Sequence, residues 1–232
     1  MKPIKEGATF ALVLAAIPLV AVLGAFVFRE RFYSWLSLCV AVFSCIPLFY
    51  SFERKETRSE ELTVIAVLVA LSAAGRFVFA WIPAFKPITA ITVIVAVWLG
   101  KEAGFAVGSL SAVISNFYFG QGPWTPFQML SWGLIGFFAG LLSRPLKKSK
   151  ILLCIYGALA GVFYSLALDI WTTVWAEGTF SLARYLSLAL AALPTTASYS
   201  VSNVIFLLLL AEPIGFKLAR IKKKFGLFMK EV

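Results

Sequence analysis

"SNFYFGQGPWTPFQ", residues 115–128, joins two apolar runs, 103–119 and 127–142, and its reading decides what kind of chain this is. Its fourteen positions hold five aromatics, two glycines, two prolines, an asparagine and two glutamines, and no acid, base or histidine. Pro123 and Pro126 fix φ and remove backbone donors, while Gly120 and Gly122 permit turns that other residues resist. The stretch therefore reads as a shaped, uncharged loop between two separate apolar helices.

Composition extends that reading to the whole chain. Of 232 residues, 61% are hydrophobic and 14% charged. A soluble domain of this length exposes far more charge, so the expected class is all-α, a polytopic membrane helical bundle. The net charge of +10 does not point to nucleic acid, because the basic residues cluster between and after apolar runs, where they orient a membrane protein. Cys39, Cys45 and Cys154 lie inside apolar segments without metal-ligand spacing, which reads as buried free thiols. The absence of histidine excludes most zinc sites and histidine acid–base chemistry.

Eight spans are expected. Residues 8–28 and 34–52 form a two-helix N-terminal extension (1–52), whose first run has no clear cleavage site after it. The polar "ERKETRSEE", 53–61, is a linker. Six further runs follow at 62–82, 88–100, 103–119, 127–142, 151–175 and 185–211 within a domain over 62–214, and a basic tail covers 215–232. A spanning helix needs about 20 apolar residues; the run at 88–100 is short and reads as a tilted or partly buried helix shielded by its neighbours. With eight spans both termini share one side, and that side collects sixteen of the 21 Lys and Arg. The positive-inside rule then places both termini in the cytoplasm and the opening loop outside.

The three later outer loops, "AWIPAFKP", "SNFYFGQGPWTPFQ" and "VWAEGTFSLAR", all carry Trp and Phe. Individual aromatics at that level fit an interfacial belt, but the glycines and prolines suggest loops folding over a pocket. Aromatic faces with a few amides suit a large, flat, mostly uncharged ligand. Polar residues inside spans are Arg76, Asp169 (the chain's one aspartate) and Asn203. Such groups find partners or line a cavity; Arg76 and Asp169 are open to either an ion pair or a cavity wall. A lone aspartate excludes metal-clustering prenyltransferases and two-aspartate intramembrane proteases, and no phosphate-cradling glycine loop is present. The chain is read as a non-enzyme without cofactor or metal, taking energy for any transport from a partner or a gradient.

Small residues recur at four-residue spacing: Ala66, Ala70 and Ala74; Gly104, Gly108 and Ala112; Gly136 with Gly140; Gly157 with Gly161. Each face allows close helix packing, within the bundle or against another membrane protein.

The block "GRFVFAWIPAFKPITAITVIVAVWLGKEAGFAVGSLSAVISNFYFGQGPWTPFQMLSWGLIGFFAGLL" resembles the substrate-binding S component of energy-coupling factor (ECF) vitamin transporters, most closely the cobalamin and corrinoid branch. The resemblance covers residues 62–214, with "KEAGFAVG" and "FGQGPWTPFQM" its most specific parts. It implies a six-helix domain in the bacterial cell membrane, here preceded by two extra helices that the minimal S component lacks. It also implies partners: a transmembrane coupling subunit docking on Ala66, Ala70 and Ala74, two ATPase subunits, and a vitamin captured from outside. Carried onto this chain, the ligand would meet Trp124, Phe127, Gln128 and Trp132 as wall or lid. Asn116, Gln121, Asp169, Trp171, Tyr199 and Asn203 are the second-choice contacts. Alternatives are an S component for a flavin, a queuosine precursor or a corrinoid fragment, a gradient-driven transporter, or a membrane scaffold whose aromatics are only belt.

Overall fold

The computed structural model describes residues 58–228. The two N-terminal spans and most of the charged linker lie outside the described residues. Within them, eight helical segments follow one another: α1 (Ser59–Val78), α2 (Ile88–Leu99), α3 (Lys101–Phe119), α4 (Thr125–Leu141), α5 (Ser143–Lys148), α6 (Lys150–Glu177), α7 (Leu182–Ala191) and α8 (Leu193–Phe225). No strand occurs among the described residues.

Local chemistry sets the helix ends. Glu60 and Glu61 lie in the first turn of α1 and Arg76 in its last, each on the side that the helix dipole favours. Gly100, at φ 121°, supplies the backbone conformation that breaks α2 from α3. Pro126 sits in the first turn of α4, where its missing donor costs nothing. The Ser149 and Ser181 hydroxyls accept hydrogen bonds from the backbone N–H of Leu152 and Arg184 and so cap α6 and α7.

The short helix expected at 88–100 is present as α2, and it is the centre of the bundle. Its 12 residues reach about 18 Å, against a hydrocarbon core of about 30 Å. It is apolar on every face, and every residue from Ile88 to Val97 is buried. A helix of that composition is stable only inside other protein, and α3, α4 and α8 enclose it. By contrast α1 and α6 are each long and apolar enough to cross a membrane.

The glycine faces are spent on packing. A Cβ added to Gly108 would sit 2.5 Å from the Trp132 carbonyl oxygen, so α3 and α4 pass backbone against backbone there. A Cβ on Gly161 would lie 2.7 Å from the Ser200 backbone nitrogen, which sets the α6–α8 approach. The alanine face behaves differently. Ala66, Ala70 and Ala74 are all exposed, beside exposed Val67, Leu71 and Val78, so this side of α1 is left largely uncovered within the described residues.

Chain direction gives the bundle two ends. One, the loop end, collects segments 79–87, 120–124 and 178–181. The other, the basic end, carries Arg58, α5, the start of α6 and the last turns of α8. Three details depart from the sequence reading. The run at 185–211 is not one helix: α7 stops at Ala191 and α8 begins at Leu193. The basic segment from 215 onward is not a separate tail, because α8 continues through Phe225. The loop "SRPLKKSK" contains α5, which buries Leu146 while keeping its lysines at the surface. The end of α8 closes onto the start of α1: the Arg58 guanidinium donates to the Phe225 carbonyl at 3.1 Å, and the Glu61 carboxylate accepts from the Phe228 N–H.

Candidate functional site

The arginine near the loop end of α1 organises the polar side chains there. Arg76 donates from one guanidinium nitrogen to Ser115 Oγ at 2.5 Å and to Asn116 Oδ1 at 2.8 Å, both on α3. Its charge lies 4.5 Å from the Phe119 ring centroid and 5.2 Å from that of Trp132. Asn116, 1% exposed, also donates to Thr125 Oγ1 at 2.9 Å and to Gln128 Oε1 at 2.7 Å. Gln128 in turn donates to the Tyr164 hydroxyl at 3.1 Å. A continuous chain of hydrogen bonds thus runs from α1 through α3 and α4 to α6. Every buried amide in it has a partner, which low-dielectric surroundings require.

Trp132 and Tyr164 stack face to face, with centroids 4.5 Å apart and planes 17° apart, and Tyr199 meets Tyr164 edge-on at 5.1 Å. The Trp132 indole donates to Thr89 Oγ1 at 3.1 Å. These rings line a cavity of about 50 Å³ together with Arg76, Lys86, Asn203 and Ala84. Two cations face it and no carboxylate does.

The segment 79–87 forms the roof. Ala84 holds φ at 56°, unusual for a residue with a Cβ. The Lys86 ammonium donates to the carbonyls of Phe79 and Ile82, the latter at 2.6 Å. Its backbone N–H donates to Ser202 Oγ at 2.9 Å, pinning the roof to α8. Partial burial, and secondarily the nearby Arg76 charge, hold the Lys86 ammonium below the ordinary lysine value. Phe79, Phe85 and Phe206 pack ring on ring beneath the same segment, two of the three pairs at 5.0 Å.

Placed against this geometry, the ten residues singled out from sequence fall into three groups. Trp132, Tyr199 and Asn203 line the cavity. Asn116 and Gln128 stand one layer behind, holding Arg76 and Tyr164, and Gln121 joins them through Thr125, whose hydroxyl donates to Gln121 Oε1 at 3.0 Å. The remaining four lie outside the lining. Trp124 meets Trp171 edge-on at 5.7 Å and Trp171 stacks on Trp175, a second aromatic cluster at the same end. Phe127 is buried. Asp169 is half-buried, and its Oδ2 has no hydrogen-bond partner among the described residues; nor has the Trp171 indole nitrogen. An Arg76–Asp169 ion pair does not form: Arg76 turns to Ser115 and Asn116 instead.

Sequence reading singled out Arg76 only as a polar residue in a span, and missed Tyr164, Thr89 and the inward turn of Lys86. Tyr164 carried a usable signal, lying seven residues past Gly157 and three past Gly161 on the face that packs inward. Thr89 and Lys86 carried none, because the Thr89 contact depends on how α2 packs against α4 and those of Lys86 on how the roof folds.

A family model described as ECF-type riboflavin transporter, S component, matches residues 56–220, more than two thirds of the chain. No curated protein and no solved structure matches the chain.

Proposed function

This chain belongs to the S-component family of ECF-type riboflavin transporters, and from that membership we propose that it binds a flavin-class ligand beneath the 79–87 roof. The S component is the membrane subunit that gives such a transporter its substrate, working with a membrane coupling subunit and ATPase subunits. The ligand identity is the further step. The observation that carries it is the cavity wall: a stacked Trp132–Tyr164 pair, an edge-on Tyr199, two inward cations and no facing carboxylate. A planar, carbonyl-rich ring system meets that wall with its face on the aromatics and its acceptors on Arg76 and Lys86. A corrinoid is several times larger than a flavin and would have to displace far more of the bundle. That favours the flavin over the cobalamin suggested by the sequence resemblance.

A cavity of about 50 Å³ does not accommodate a whole flavin, since ligand pockets run from about 300 Å³ upward. Binding therefore requires the roof and the 120–124 loop to move outward and close again over the ligand. The loop end would face outside, as the charge distribution favours. The exposed Ala66, Ala70 and Ala74 face of α1 is where a coupling subunit's helices could come backbone-close.

Purified full-length protein in detergent, titrated against riboflavin, cobalamin and a panel of other vitamins, tests the assignment. Stacking on Trp132 and Tyr164 should quench flavin fluorescence as the complex forms. Binding of cobalamin with no binding of riboflavin would overturn the flavin reading and restore the corrinoid one.

A further inference from the structure

We propose that a second cavity, at the basic end between α2, α5, α6 and α8, holds the phosphate headgroup of an anionic glycerophospholipid drawn from the surrounding bilayer. It measures about 180 Å³, more than three times the volume of the loop-end cavity. Its polar rim is Lys147, Lys150 and Glu212, and its wall is Trp98 with leucines of α6 and α8. Lys150 and Glu212 pair at 2.6 Å, while the Lys147 ammonium lies 5.7 Å from the Trp98 ring centroid and has no carboxylate partner among the described residues. The rim therefore carries one uncompensated positive charge. Partial burial beside Trp98 holds the Lys147 ammonium below the ordinary lysine value, an effect that an adjacent anion offsets.

Position and shape select a lipid. Lys150 begins α6, a helix long and apolar enough to cross the membrane, so the cavity lies at the depth of the headgroups. Leu208 and Phe216, both lining residues, are 58% and 71% exposed, so the wall runs continuously from the cavity onto the hydrocarbon-facing surface of α8. A phosphate at Lys147 thus leaves its acyl chains along Leu208 and Phe216. Basic pockets between spanning helices recruit anionic headgroups in this way. A zwitterionic lipid brings its own cation and gains nothing from the uncompensated charge. A free phosphate satisfies the lysine and leaves the apolar wall bare.

The test uses the full chain in detergent with equal amounts of phosphatidylglycerol and phosphatidylcholine, and reads retained lipid by native mass spectrometry. One net charge predicts about a fivefold preference for the anionic lipid. Lys147→Gln should bring that preference close to one, while Lys148→Gln, a residue of the same charge outside the cavity, should leave it unchanged. Equal retention of the two lipids by the unmodified protein overturns the proposal whether or not any variant folds. So does a preference that survives Lys147→Gln, or loss of bound phosphatidylglycerol on adding millimolar inorganic phosphate at constant ionic strength.

Discussion

Replacing Arg76 by methionine should weaken ligand binding strongly while changing stability little, and the two effects can be sized separately. On the stability side, the variant strips Asn116 Oδ1 of its donor, and an unsatisfied buried acceptor costs about 1–3 kcal/mol. Losing the contacts with Phe119 and Trp132 costs about 1 kcal/mol more. Ser115 Oγ is less affected, because it still donates to the Ser111 carbonyl at 2.6 Å. Against this, the native protein holds a guanidinium at membrane depth with no carboxylate partner among the described residues, a burden of several kcal/mol that methionine removes. The sums nearly cancel, so the midpoint of thermal unfolding should move by less than about 4 °C. Binding has no such offset. A charge-assisted hydrogen bond to a ligand carbonyl is worth about 1.5–3 kcal/mol, which is about a 10- to 150-fold loss in affinity. Riboflavin fluorescence titration and thermal unfolding in one detergent supply both readouts. Arg76→Lys should recover only part of the affinity, since an ammonium cannot hold Ser115, Asn116 and a ligand with the geometry of a guanidinium. An affinity within about threefold of the native value, in a variant that keeps its unfolding midpoint, would refute the assignment of Arg76 to the ligand.

Other substitutions separate the remaining roles. Ala70→Leu adds bulk to an exposed face and should abolish co-purification with the coupling subunit while leaving ligand affinity of the isolated chain unchanged; normal complex yield would remove that face from docking. Gly108→Ala forces a Cβ against the Trp132 backbone and should cost about 1–3 kcal/mol of stability, seen as a lower unfolding midpoint; an unaltered midpoint would mean that α3 and α4 can separate freely. Gln128→Ala takes from Asn116 Nδ2 one of its two acceptors, leaving Thr125 Oγ1, and from the Tyr164 hydroxyl its donor, and should lower stability and affinity alike, whereas Trp124→Ala, in the half-exposed tryptophan cluster, should lower affinity alone if that cluster closes over the ligand. Equal behaviour of these two variants would put Trp124 and Gln128 in one structural unit.

How far the sequence could be read depends on which physical signal each feature leaves. The bundle was legible because hydrophobicity at membrane density has few other meanings, and α2 was legible as a shielded helix because it is too short to span and apolar all round. Glycine spacing marked close helix approaches at Gly108 and Gly161, but the same spacing in alanine marked an exposed face at Ala66, Ala70 and Ala74. Periodicity says that small residues share a face; only the packed bundle says what meets it. The break at Ala192 carried a signal in Pro194, which sits in the first turn of α8 and is followed by the polar "TTASYS", residues 195–200, but the apolar runs on either side mask it. Asn116 and Gln128 could be named in advance as polar residues in an aromatic loop. Their common task of holding Arg76 and Tyr164 could not, because it requires four helices to converge. Arg76 was visible as a costly residue, yet sequence left its partner open between Asp169 and a cavity, and the choice falls to side-chain reach.

The distribution of packing also bears on how a cavity this small admits a ligand. Trp132 and Tyr164 belong to α4 and α6, which are locked through Gly108 against α3 and through Gly161 against α8. That half of the site has no slack. Arg76, by contrast, is carried by α1, which is exposed along its alanine side, and Lys86 by a roof hydrogen-bonded to α8 through Ser202, its ammonium bonds to the Phe79 and Ile82 carbonyls being internal to the roof. Ligand entry would therefore separate the cations from the aromatic wall, stretching the bonds of Arg76 to Ser115 and Asn116. Rebinding would draw them back. Arg76 lies six residues from Ala70 on the same helix, about 9 Å along its axis. Whatever position α1 takes with ligand present is presented directly on its alanine face, so a partner docked there can distinguish the two states without any longer route through the bundle.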